Sequence, residues 1–132
     1  VKLFSKAPDG GKASGVTGYF LIEWKCFFSI VLLHFSEGSR EAYHDHAFNA
    51  VTLWLKGTVT EWVPHLRRPI AKGKRFKAGN IKFTPRGLMH KIEGGPGGAW
   101  ALSIRGPWVD KWHEWRGERY VTLTHGRKEI YE

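Results

Sequence analysis

No segment of this chain carries apolar residues at a sustained 3.6-residue period; they fall instead in short aromatic and β-branched runs broken by glycine and proline. Such runs suit strands and cannot build a helical bundle. Tyr19 to Trp24, Phe27 to Phe35, Tyr43 to Leu55 (closed by Lys56-Gly57), Thr58 to Val63 (ended by Pro64), Asn80 to Thr84, Met89 to Glu93 and Ala99 to Arg105 each read as strands. Trp112 to Trp115 and Tyr120 to Thr124 read as a closing hairpin turning at Gly117-Glu118. About nine or ten short strands without an internal repeat, in 132 residues, predict one all-β domain, a sandwich or a barrel. The expected layout is a flexible Gly-, Lys- and Ser-rich arm over residues 1–18 and one folded unit over residues 19–132.

Composition narrows the class. The single cysteine, Cys26, excludes an internal disulfide and fits a reducing compartment; lying in the apolar run Trp24 to Phe28, it is expected to be a buried small hydrophobe. No apolar stretch is long enough to span a membrane, and the polar first residues do not form a signal peptide, so a cytoplasmic protein is expected. The formal net charge of +9 has its densest cluster in His65, Arg67, Arg68, Lys72, Lys74, Arg75 and Lys77, with Arg116, Arg119, Arg127 and Lys128 near the end. Nucleic acid is one partner such charge can serve, a solvated surface loop is the other reading, and no recognition-helix or RNA-binding motif accompanies it.

The chemistry is concentrated in histidines. In an extended strand His44 and His46 project to one face while Asp45 points away. His90 follows the turn Pro85-Arg86-Gly87. Three imidazoles converging from two strands can bind one divalent transition metal. Strand parity places Phe48, Ala50, Thr52 and Trp54 on the face of His46, and Asn49 on the opposite face.

Taken together, His44-x-His46, ten residues, Gly57, then Gly79, five residues, and Pro85-x-Gly87-x-x-His90 resemble the two motifs of the cupin family over about half the chain, Arg40 to Ile92. Leu33-His34-Phe35 before them and Ile104-Arg105-Gly106-Pro107 after them are similar to small cupins common in phage and bacterial genomes. The resemblance implies a double-stranded β-helix, a jelly-roll barrel with the metal inside. The family places a glutamate four residues after the second histidine, and this chain has Ala50 there. The ligand set expected is therefore His44, His46 and His90 with no carboxylate, which leaves a bound ion its full double charge and favours a small anionic substrate. The His-Asp-His triplet, the absent glutamate and Gly87-Leu88 before His90 resemble the three-histidine thiol dioxygenases. That implies ferrous iron, although zinc, nickel or manganese suits such a site as well.

Around that site Thr52 and Trp54 are candidate substrate-binding residues by parity, and Arg105, on a strand face with Ala101 and Ser103, is either an anion clamp or a rim charge. His34 and Asn49 are candidates to support the ligands from behind; His34 is also a candidate fourth ligand, although a structural histidine at the barrel rim is the preferred reading for it. No side chain in the motifs is an evident general base, so the catalytic residues are left unassigned. Trp108, Trp112 and Trp115 fit either packing over a sheet face or a homodimer contact. The sequence thus supports a metal-dependent, iron dioxygenase-like enzyme. The alternative is a non-catalytic cupin that binds a small molecule or nucleotide, or serves as a phage structural or accessory protein.

Overall fold

The computed structural model describes residues 1–9, 14–39, 43–64, 72–116 and 119–130. Within these the chain forms β1 (Lys2–Pro8), β2 (Val16–Trp24), β3 (Phe28–Phe35), β4 (Gly38–Ser39), β5 (Ala50–Val63), β6 (Lys72–Lys77), β7 (Ile81–Thr84), β8 (Lys91–Arg105), β9 (Trp112–Arg116), β10 (Arg119–Thr124), a 3-10 turn at His125–Arg127 and β11 (Lys128–Ile130). All pairings are antiparallel. The all-β class is the one the apolar runs required.

One sheet runs β1-β2-β3-β8-β5-β6, with β4 added on β8 and β7 on β5; the other runs β11-β10-β9. Period-two burial holds the large sheet around its core. In β3, Ser29, Val31, Leu33 and Phe35 are buried while their neighbours are only half covered. These inward faces meet Trp54, Val59, Phe76 and Ala101 in one apolar cluster. A second cluster of Ala47, Phe48, Ala50, Trp112, Val121 and Leu123 packs the small sheet against the segment that carries the histidines. Each fully buried side chain of this size contributes roughly 1.5–3 kcal/mol.

The long strand β5 bends in the middle. Its register against β8 shifts between Trp54 and Lys56 and again between Gly57 and Val59. Gly57 has φ +80, and a Cβ there would strike the carbonyl oxygen of Gly98 on β8. The glycine is therefore required, for a bulge inside one continuous strand rather than for the strand end expected from the sequence. The bulge reverses parity: Ala50, Thr52 and Trp54 face inward before it, Val59 and Glu61 after it.

Other expectations change. The segment read as a loose arm contains β1, paired with β2 from Lys2↔Glu23 to Pro8↔Thr17, because an edge strand can form with little burial of its own. The end of the Met89 to Glu93 run, from Lys91, and Ala99 to Arg105 merge into β8, whose Gly94-Gly95-Pro96-Gly97-Gly98 stretch carries the strand past β4 and β5 instead of separating two strands. Cys26 is exposed, not buried, because it lies in the β2–β3 turn closed by the Phe27 N–H donating to the Trp24 carbonyl at 2.8 Å. Trp108 and Trp112 pack into the second cluster, while Trp115 remains partly exposed. Among the described residues no helix is long and apolar enough to cross a membrane.

Candidate metal centre

The histidine segment stitches the two sheets together. The His44 N–H donates to the His90 carbonyl and the His90 N–H to the His44 carbonyl, both at 2.9 Å. On its other side the Asp45 N–H donates to the His113 carbonyl at 3.0 Å, and Trp115 N–H to Tyr43 at 2.8 Å. An extended segment so held turns His44 and His46 to one side and Asp45 to the other. Asp45 accepts hydrogen bonds from the His113 backbone N–H at 2.5 Å and from its Nδ1 at 2.8 Å, which anchors the histidine-bearing segment to β9. His90 arrives through the Pro85–Leu88 turn, where Gly87 adopts φ +89, a region other residues enter at a cost.

The ligand atoms of His44, His46 and His90 all lie within 4.8 Å of one another, and His46 Nε2 stands 2.9 Å from His90 Nε2. Behind His90, the Nδ1–H donates to Glu61 Oε2 at 2.7 Å, which leaves Nε2 with its lone pair toward the cluster. Lys82 Nζ reaches the same Glu61 oxygen at 2.5 Å and also bonds Thr84 Oγ1. Burial alone would raise the Glu61 pKa; hydrogen bonds from His90 and Lys82, with the attraction of the Lys82 ammonium, outweigh it and hold the carboxyl below its ordinary value. Ala50, where the family's glutamate would stand, is a buried methyl. Three imidazole nitrogens brought together in a mostly buried wall, one already fixed in the required tautomer, suit a divalent transition-metal ion.

Two cavities meet at this wall. The outer, about 320 Å³, is lined by aromatic groups (Phe20, Phe48, Trp108, Trp112) and by Lys25, Arg105 and Arg127. The inner, about 70 Å³, is lined by Thr52, Trp54, Lys82, Thr84 and Ser103 together with all three histidines. Asp9, His44, His46, Phe48 and Arg105 belong to both.

The sequence-predicted residues fall as follows. Thr52 and Trp54 face the inner cavity, and the Trp54 indole N–H has no hydrogen-bond partner among the described residues. Arg105 is a cavity residue rather than a rim charge. It is 4% exposed, its guanidinium lies between the rings of Phe20 and Phe48 at 5.6 and 4.7 Å, and it is paired with Asp9. His34 does not support the ligands: Leu33 and Phe35 take the inward positions of β3, and His34 packs outside against Trp100 at 4.5 Å between ring centroids. Asn49 is exposed and stands behind no ligand. Its Oδ1 accepts the Arg86 N–H at 2.6 Å, so it braces the turn that delivers His90. His65, Arg67 and Arg68 lie outside the described residues; Lys74, Arg75 and Lys77 are exposed on β6. In the tail, Arg116 and Arg127 pair with Glu114, and Arg119 with Glu129.

Sequence reasoning missed Glu61, Lys82 and Asp9. A signal existed for Glu61, which shares a strand face with Val59 and Val63, but for Lys82 the alternation with Ile81 and Phe83 pointed outward, opposite to the buried position it takes. For Asp9 there was none.

No protein-family model matches the chain, and no curated protein matches it by sequence. Solved structures do match. HppE with Fe(II) superposes with TM-score 0.62 at 13% identity, over 76% of this chain and 55% of HppE, so the chain spans little more than half of that protein. The polyketide cyclase RemF from Streptomyces resistomycificus gives 0.59 at 21% identity, over 80% of this chain and 77% of RemF. An RmlC-like cupin from Shewanella frigidimarina gives 0.56 at 20% identity, over 76% and 81%. At these identities the likeness is one of fold.

Proposed function

We propose that this chain, which has the jelly-roll fold of the cupin superfamily, is a mononuclear metal-dependent enzyme that oxidises a small anionic molecule using ferrous iron and O₂. The observation that carries this reading is the shared wall: three histidines, joined by no carboxylate among the described residues, bordering cavities that also contain the buried Arg105. Lys82 is balanced by Glu61, and Arg105 by Asp9. A divalent ion held by neutral imidazoles therefore adds two uncompensated positive charges, which an anionic ligand relieves. Bound there, iron would supply Lewis acidity and redox chemistry that no side chain in the cavity provides. The likeness to HppE, solved with Fe(II), supports iron over zinc, nickel or manganese.

In this reading Arg105 takes the substrate's anionic group, with its Nε, which has no partner among the described residues, as a further donor, and the Trp54 N–H orients an acceptor atom beside the metal. Phe48, shared by both cavities, excludes water from the meeting point. The test is metal content of protein purified without chelator, followed by O₂ consumption with small thiols and carboxylates. About one iron per chain and anion-dependent uptake of O₂ are expected; no metal after anaerobic reconstitution with ferrous iron overturns the reading.

A second reading is carried by the outer cavity. Its aromatic walls and the Lys25 ammonium 4.7 Å from the Trp108 ring suit a non-catalytic module that binds an anionic aromatic molecule, such as a nucleotide. Tight nucleotide binding without O₂ chemistry would favour it, including the role of a phage accessory protein. For association, the outer faces of β5, β7 and β8 expose Val51, Leu53, Ile81, Phe83 and Ile104, an apolar patch suited to a homodimer. Molar mass by light scattering for wild type and Phe83→Asp tests it. The reading places the protein in the cytoplasm of a bacterium or phage-infected host.

A further inference from the structure

We infer that Glu61 is the positioning residue of the metal centre, and that Lys82 sets how strongly His90 can bind the metal by competing for the same carboxylate oxygen. This rests on the metal reading above and goes beyond it to residues outside the ligand set.

The two acidic and basic side chains come from distant parts of the barrel. Lys82 on β7 pairs opposite Thr52 in the first half of β5, whereas Glu61 lies in the second half, opposite Ile92. Only the bulge at Gly57 turns Glu61 inward to meet Lys82. Both residues are 6% exposed, so their interaction is poorly screened by water.

The decisive feature is that one atom serves both partners. Glu61 Oε2 accepts from His90 Nδ1 at 2.7 Å and from Lys82 Nζ at 2.5 Å. The hydrogen bond to His90 fixes ring orientation and tautomer, and the carboxylate's negative charge increases electron density at the far nitrogen. Lys82 draws on that charge. A lysine in this place lowers what Glu61 delivers to His90, while sparing the metal-free protein an unbalanced buried carboxylate. A pair serving only the fold would give both residues the same sign of effect on metal binding. A throttle gives opposite signs.

The experiment measures cobalt(II) affinity of the full chain by competition with a chromophoric chelator, and follows the ligand-field absorption of the bound ion. Glu61→Gln keeps an acceptor for His90 but removes the charge; a loss of about 10- to 100-fold in affinity is expected. Lys82→Met is expected to tighten cobalt binding and shift the absorption band. Should the methionine variant fail to fold, Lys82→Gln, which retains polar contact, provides the same comparison. Weakened binding in both variants, or wild-type affinity in either, overturns the inference while leaving the metal reading intact. Wild-type protein that takes up no cobalt overturns both.

Discussion

Arg105 and Asp9, separated by 96 positions in the chain, form a two-contact ion pair at 2.7 and 3.4 Å on the wall common to both cavities. The arginine is buried, whereas the Asp9 side chain is 26% exposed and sits just past the edge strand β1. A carboxylate supplied by the protein itself thus holds the guanidinium that the proposed substrate would need. Asp9→Ala should destabilise the fold by about 1–3 kcal/mol, because Arg105 is left with its charge uncompensated, with the partial exposure of Asp9 keeping the cost below that of a fully buried pair. Adding a small carboxylate such as acetate should restore part of the lost Tm in Asp9→Ala and not in Asp9→Ala/Arg105→Met. Equal response of the two variants to acetate would show that Arg105 does not accept external anions.

His90→Ala should abolish tight metal binding while leaving the barrel folded, since the imidazole is the proposed ligand but His90's backbone makes the two bonds to His44. Elemental analysis and far-UV circular dichroism check this together. Full metal occupancy in the variant would remove His90 from the ligand set.

Acid should act in two stages. Metal ligation needs neutral imidazoles, so bound metal should be released as pH falls through about 6.5 and below, the ordinary histidine range, with tighter binding shifting the release lower. Glu61 acts further down. Its folded-state pKa lies below the ordinary 4.5, so its stabilising contribution is present in full above that value and is lost as pH falls through the depressed one. The acid limb of stability should therefore flatten in Glu61→Gln, measured by tryptophan fluorescence during urea unfolding across pH. An unchanged limb would mean that Glu61 contributes nothing to acid sensitivity.

Gly57 and Gly79 separate backbone strain from steric exclusion. Both have positive φ, +80 and +91, but a Cβ at Gly79 meets nothing within 4 Å, whereas at Gly57 it collides with the Gly98 backbone and Ala99. Gly79→Ala should cost roughly 1–2 kcal/mol, the left-handed penalty alone. Gly57→Ala should cost more and should also weaken metal binding, because the bulge it builds turns Glu61 toward His90. Chemical denaturation with cobalt titration resolves the two.

Much of the site was legible in one dimension because a strand's period of two is a local property. His44 and His46 share a face, Phe48, Ala50, Thr52 and Trp54 follow on it, and Pro85-x-Gly87 sets a turn before His90; each needs only backbone geometry over a few residues. Applied to β3, the same rule turns Leu33 and Phe35 inward and His34 outward, so offering His34 as a support for the ligands went against local parity. What the rule cannot do is carry parity through a bulge or join separate strands. The double register shift around Gly57 exchanges the faces of β5, so whether Glu61 looked into the barrel depended on pairing with β8. The meetings of Glu61 with Lys82 and His90, and of Arg105 with Asp9, likewise come from strand order in the large sheet. The sequence by itself determined the strand class and the three-histidine set. Tertiary structure alone decided which charges stand behind and beside that set, because buried charges are placed by long-range partners and local periodicity does not encode who those partners are.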